Sequence, residues 1–144
     1  MKNEARDLSF AELSEGREHQ EEYVITPAVY DAFLAAFDDR SPIHVDAEAA
    51  KAAGFRGRVM FGALLNGFLS HFVGMRFPGR RALLLSSDLR YLNPSYAGDK
   101  ISLHARVDQA VEAQGVVVLL VDFKNLTQGT QAAKGRVQVK VRRE

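Results

Sequence analysis

The chain has 144 residues, of which 47% are hydrophobic and 26% charged, a balance that suits one soluble domain with its own core. Its 19 Lys and Arg against 18 Asp and Glu leave a formal net charge of +1, without the basic stripe of a nucleic-acid binder. There is no cysteine, which excludes disulfides, thiolate zinc sites and thiol nucleophiles.

Residues 1–20 are polar and charge-dense and lack the apolar centre of a signal peptide, so they read as a polar leader to a single domain over 21–144. No run of about 20 apolar residues occurs, so no membrane span is expected and the cytoplasm is the expected compartment. Glu21 to Thr26 reads as a short strand. Thr26-Pro27 starts a helix, because threonine caps free N–H groups and proline at the first helical position gives up nothing. That helix carries Val29, Phe33, Leu34 and Phe37 on one face and stops before Ser41-Pro42. Asp46 caps a second short helix that Gly54 ends. Phe61, Leu64, Leu65, Phe68, Leu69, Phe72 and Val73 recur at spacings of three and four, the broad stripe of a largely buried helix. After Gly79 the character changes. Ala82 to Leu92 is rich in leucine, and Ile101, Leu103, Ala105 and Val107 alternate with Ser102, His104, Arg106 and Asp108 as a strand with one wet face. Val116 to Val121 is an apolar run short enough for a buried strand, and Val137 to Val141 alternate again, with glycine-bearing turns between these segments. Successive strands with short turns favour an antiparallel sheet, and a sheet with helices on one side is an α+β arrangement.

Two polar residues near the first helix end stand out. Asp39 and His44 lie five residues apart across Pro42, close enough to converge on one small molecule such as water. Histidine titrates at about 6.5 when unperturbed, so an imidazole can give or take a proton near neutrality. Such a pair also occurs as a helix-end carboxylate and a surface imidazole, and the residues alone leave both readings open. His19, His71 and His104 read as ordinary boundary or surface residues, and no two histidines have metal-ligand spacing on one helix face. No metal is implied. Neither a glycine-rich phosphate loop nor a Gly-x-Ser-x-Gly nucleophile turn is present.

Three segments carry a family resemblance. Asp38-Asp39-Arg40-Ser41-Pro42-Ile43-His44 resembles the signature G-D-x-N-P-aliphatic-H of the MaoC-like family, which includes the R-specific enoyl-CoA hydratases. Val59-Met60-Phe61-Gly62 is similar to its aliphatic-A-H-G lead into the central helix. Arg90 to Asp99 is similar to its R-F-x-x-P-V-x-x-G-D strand and turn. The resemblance covers about Tyr23 to Val141 and implies a single hot-dog fold, an antiparallel sheet wrapped around a long central apolar helix. It implies that Asp39 and His44 activate one water for addition to a trans-2-enoyl thioester, giving an R-3-hydroxyacyl thioester. It places the Gly62 N–H on the thioester carbonyl, with Ser41 and Phe61 beside it as substrate-contacting positions. Three residues depart from the pattern: Asp38 replaces Gly, Ser41 replaces Asn, and Phe61 replaces His.

Water addition calls for no cofactor, with CoA or a carrier-bound pantetheine as the thioester partner. Arg56, Arg58, Arg80 and Arg81 are candidates for the phosphates of that carrier. A homodimer is expected, because one hot-dog sheet leaves edges that a second copy can cover. The alternatives are a hot-dog thioesterase, and a non-catalytic acyl-thioester-binding homologue.

Overall fold

The computed structural model describes residues 3–143. Five strands form one antiparallel sheet in the order β1-β3-β4-β5-β2: β1 Glu18–Val24, β2 Ala82–Tyr91, β3 Lys100–Val111, β4 Val116–Asn125 and β5 Thr130–Val141. Four helices stand between β1 and β2: α1 Pro27–Phe37, α2 Pro42–Val45, α3 Ala47–Ala52 and α4 Leu64–His71. The helical path of α4 continues as a wider π turn over Phe72–Arg76.

The period-two pattern builds the core. Ile101, Leu103, Ala105 and Val107 of β3 are fully buried, as are Val117, Leu119 and Phe123 of β4 and Val137 and Val139 of β5. They share one apolar cluster with Leu64, Leu65 and Leu69 of α4 and with Phe72 and Val73 beyond it. Each such side chain contributes roughly 1.5–3 kcal/mol by leaving water, so the helix and sheet hold each other. This is the α+β hot-dog arrangement expected from the pattern.

The structure alters several boundaries. The first strand begins at Glu18, and Leu8 and Leu13 from the segment expected to be a leader are buried in the core. That segment is tied to the domain by Arg6 N–H to the Met75 carbonyl (2.9 Å) and Leu8 N–H to the Pro78 carbonyl (3.2 Å). It passes so close to Gly79 (φ +99°) that a Cβ there would sit 2.0 Å from the Arg6 carbonyl oxygen. Two apolar residues among many charges leave no periodic signal, although they suffice to pin a strap across the core. The domain therefore starts ahead of residue 21. The central helix starts at Leu64 rather than Phe61, because Phe61 to Ala63 form a tight turn with i to i+3 bonds. In α1 the buried residue is Tyr30, whereas Phe37 is 70% exposed. Ser102, expected on the wet face of β3, is buried.

Candidate active site

Thr26 accepts a hydrogen bond from the Val29 N–H (3.1 Å) and sets the phase of α1. At the other end Asp38 adopts the left-handed conformation (φ 52°, ψ 32°), and its N–H donates to the Leu34 carbonyl (2.8 Å). Glycine is favoured at such a helix stop, and aspartate tolerates it better than most residues. Asp38 thus performs with a side chain the backbone turn that the family pattern gives to glycine. The turn delivers Asp39 to the end of the helix.

The Asp39 carboxylate is half-exposed and accepts from the Ser41 N–H through Oδ1 (3.2 Å). Pro42 then opens α2, a single turn closed by Asp46 N–H on the Pro42 carbonyl (2.9 Å), and His44 rides on it. Residues Pro42–Val45 can form this helical turn because proline at a first helical position costs no backbone bond. The His44 Nε2 lies 3.8 Å from Asp39 Oδ2. That is too long for a direct hydrogen bond, and it leaves one water able to bond both groups.

The other ring nitrogen is fixed. His44 Nδ1 lies 2.7 Å from the Val59 carbonyl. A carbonyl only accepts, so Nδ1 carries the proton and the neutral ring keeps its lone pair on Nε2, towards Asp39. Val59 is itself held to α2, its N–H donating to the Ile43 carbonyl (2.9 Å). The Tyr30 hydroxyl donates to the His44 carbonyl (2.5 Å) and lies 3.1 Å from the Val59 carbonyl. Burial pushes the Tyr30 hydroxyl above the ordinary tyrosine range, so it stays a donor. Phe61 is 1% exposed and packs its ring on His44 (4.5 Å between centroids), Phe33 (4.7 Å) and Tyr30 (4.9 Å). Where the family pattern has histidine, this chain supports the His44 ring with an apolar platform.

His44 opens onto a cleft of about 310 Å³ that is also lined by Gly62, Leu65, Tyr91, Pro94 and Ser95. The Gly62 N–H has no hydrogen-bond acceptor among the described residues. The Tyr91 ring covers this glycine, 3.4 Å from where a Cβ would lie, and its hydroxyl donates to Asn66 Oδ1 (2.5 Å). The far wall is held by Asp99, which is 2% exposed. Its carboxylate accepts from the Tyr96 N–H (3.0 Å), Asn125 Nδ2 (2.8 Å) and Gln128 Nε2 (3.2 Å). In turn the Ser95 carbonyl accepts from the Met60 N–H (2.8 Å), two residues before Gly62.

His44 and Gly62 line one cleft, with Phe61 behind the imidazole; Asp39 is not among the residues that line it and is joined to it through its 3.8 Å approach to His44. Ser41 does not line the cleft, and its hydroxyl has no hydrogen-bond partner among the described residues; only its backbone serves the loop. Sequence reasoning missed Tyr30, Val59 and Tyr91. A signal existed for Tyr30: counted from the Thr26 cap it falls on the face of Phe33, and a buried tyrosine hydroxyl needs a partner. Arg56 and Arg58 border a second cleft with Tyr30, Gly57 and Tyr96. Arg80 and Arg81 stand at the opposite end of β2, about 30 Å of strand from Tyr91. No three His, Asp or Glu residues gather as a metal site among the described residues.

A family model described as MaoC like domain matches residues 9–125. The chain belongs to the MaoC-like family. Among its relatives, the (R)-specific enoyl-CoA hydratase of Aeromonas caviae is 28% identical over 111 residues, 76% of this chain and 81% of that protein. The mitochondrial 3-hydroxyacyl-[acyl-carrier-protein] dehydratase of Arabidopsis thaliana is 34% identical over 70 residues, 49% of this chain and 41% of that protein. This MaoC-like chain superposes on an unliganded R-hydratase of Pseudomonas aeruginosa with a TM-score of 0.88 at 24% identity, covering 97% and 89% of the two chains. It superposes on one chain of the ChsH1–ChsH2 complex of Mycobacterium tuberculosis with a TM-score of 0.78 at 21% identity, covering 90% of this chain and 98% of that one. Membership of the MaoC-like family accounts for a segment that starts ahead of Glu18, since the match opens at residue 9.

Proposed function

We propose that this protein is a hydratase, and in reverse a dehydratase, of trans-2-enoyl and R-3-hydroxyacyl thioesters. One observation carries the reading: an imidazole with its proton fixed on Nδ1 turns Nε2 to a carboxylate 3.8 Å away, on a cleft that Gly62 also lines. Water held between Asp39 and His44 adds its oxygen to C3 of the enoyl group. His44 Nε2 takes one water proton as the C2–C3 π electrons move onto the thioester carbonyl oxygen. The free N–H of Gly62 donates to that oxygen as charge develops there. The imidazolium then returns its proton to C2, completing the addition of one water. Asp39 orients the other water hydrogen and offsets the charge on the ring. Mixing the protein with crotonyl-CoA and longer enoyl-CoAs, and following the conjugated thioester absorbance alongside a thiol reagent, tests this. Absorbance is expected to fall without thiol release. No fall at any chain length overturns the reading, and thiol release indicates a thioesterase.

The carrier end of the substrate is assigned to Arg56 and Arg58, which flank the site, and not to Arg80 and Arg81. Phe55 and Val59 line the His44 cleft while Arg56, Gly57 and Arg58 line its neighbour. Arg58 is exposed, with its guanidinium 5.3 Å over the Tyr30 ring and no acidic partner among the described residues. Replacing both Arg56 and Arg58 with Ala is expected to raise KM for crotonyl-CoA about tenfold and leave turnover of crotonyl-pantetheine, which lacks phosphate, unchanged. Equal effects on the two substrates contradict the assignment.

The assembly is assigned as a homodimer. The edge strand β2 exposes Leu83, Leu84 and Leu85 near its start, and Tyr91 and Leu92 are exposed at its far end. An unpaired apolar edge is a template for a partner. Sedimentation is expected to give twice 16.0 kDa; a monomer contradicts it.

A further inference from the structure

We infer that Tyr30 is a positioning residue that holds His44 in its working tautomer and orientation. The inference rests on the reading of His44 as the base. Three bonds converge on one peptide group and one loop turn. The Val59 carbonyl accepts a hydrogen bond from His44 Nδ1–H at 2.7 Å, and the Tyr30 hydroxyl lies 3.1 Å from the same oxygen. The same hydroxyl donates to the carbonyl of His44 itself at 2.5 Å. Tyr30 thus ties the backbone that carries the ring to the backbone that accepts its Nδ1–H bond. Without this tie the α2 turn is held to Val59 by the ring bond and by the Val59 N–H on Ile43.

The hydroxyl is suited to the task. Tyr30 is 2% exposed, and its ring lies against Phe61, the side chain on which the imidazole also rests. Ring and hydroxyl therefore fix His44 from two directions, one apolar and one polar. The residue comes from α1, whose start is set by Thr26 and whose end delivers Asp39. One helix therefore places the carboxylate directly and the imidazole through a hydrogen bond. The Tyr30 hydroxyl touches no reacting atom, so its loss in Tyr30→Phe acts on the geometry of the base and keeps the ring that lies under Arg58.

The test is Tyr30→Phe in the full chain with ¹⁵N-labelled histidine. In the unchanged protein the nitrogen spectrum is expected to show His44 as a single Nδ1–H tautomer. In Tyr30→Phe a second tautomer is expected to appear. The value of kcat for crotonyl-CoA is expected to fall about tenfold while KM stays within about twofold. An unchanged tautomer in a folded Tyr30→Phe protein overturns the inference, whatever happens to the rate. A rise in KM alone also overturns it. Should Tyr30→Phe not fold, 3-fluorotyrosine placed at position 30 alone keeps the shape and strengthens the donor. The His44 Nδ1 proton resonance is then expected to shift, and an unmoved resonance overturns the inference. The tautomer readout needs no turnover. If wild-type protein hydrates no enoyl thioester, the proposed function fails while this test still stands.

Discussion

Asp39→Asn and His44→Ala are each expected to lower kcat for enoyl-CoA hydration by about 10³-fold while the protein stays folded. A positioned acid or base is worth roughly 10²–10⁴-fold, and in the proposed mechanism both groups act on one water. Asn in place of Asp39 can still accept from the Ser41 N–H at Oδ1, so the loop turn survives. What disappears is the charge 3.8 Å from His44 Nε2, which orients the water and offsets the imidazolium. His44→Ala removes the base outright. It also leaves the Val59 carbonyl without its 2.7 Å donor and removes one of the three rings packed on Phe61, so a modest loss of stability accompanies the rate effect. The double variant is expected to be little slower than the worse single one, because residues that act as one unit are not additive. Steady-state kinetics with crotonyl-CoA and a thermal melt of each variant check this. A fall of less than about tenfold in either folded variant would remove the pair from the chemistry.

Asp99→Ala is expected to be the most destabilising single change near the site, by about 3 kcal/mol, or roughly 10 °C in Tm. Asp99 is 2% exposed and serves the Tyr96 N–H, Asn125 Nδ2 and Gln128 Nε2 together. Alanine leaves the part-buried Tyr96 N–H and the buried Asn125 amide short of acceptors, and Asn125 keeps its bond to Ser95 Oγ (3.0 Å) as its remaining side-chain acceptor. Arg56 adds little, since it lies 3.5 Å away and is 58% exposed. The loss reaches the active site through the chain, because Ser95 holds the Met60 N–H and Met60 leads into Gly62. Asp99→Asn, which retains an acceptor oxygen, is expected to cost about half as much. Urea denaturation of the three proteins measures the series. A loss below about 1 kcal/mol for alanine would show that water replaces the carboxylate and that the wall does not depend on it.

Much of this architecture was legible because its signals are local. Thr26-Pro27 and Asp46 mark helix starts by chemistry that acts within three residues, and the structure shows both side chains capping as expected. Alternation in β3 and β5 fixes which side chains enter the core before any strand finds its partner. The parts that were not legible are those decided at long range. Leu8 and Leu13 are buried because a strap crosses Gly79, a contact seventy residues away in the chain that no period announces. On α1, Val29, Phe33 and Leu34 pack against the core as expected, whereas Phe37, as apolar as any of them, lies at the helix end and is 70% exposed. Asp39 and His44 stood out through Pro42 and the motif around them. Nothing in the motif revealed that a backbone carbonyl from Val59 would fix the imidazole, since a carbonyl has no residue-type signature. Departures from the family pattern became intelligible only in three dimensions. Asp38 occupies a left-handed helix stop, Phe61 forms a platform under the ring, and Ser41 contributes backbone alone.

The claim at the centre of this account is that water held by Asp39 and His44 adds to an enoyl thioester on one face. Chiral analysis of the product formed from crotonyl-CoA, by wild-type protein and by His44→Ala side by side, tests it most directly. The expected result is (R)-3-hydroxybutyryl-CoA from the wild type and a trace at most from the variant. An S product, free CoA in place of a hydroxyacyl thioester, or equal yields from the two proteins would contradict it.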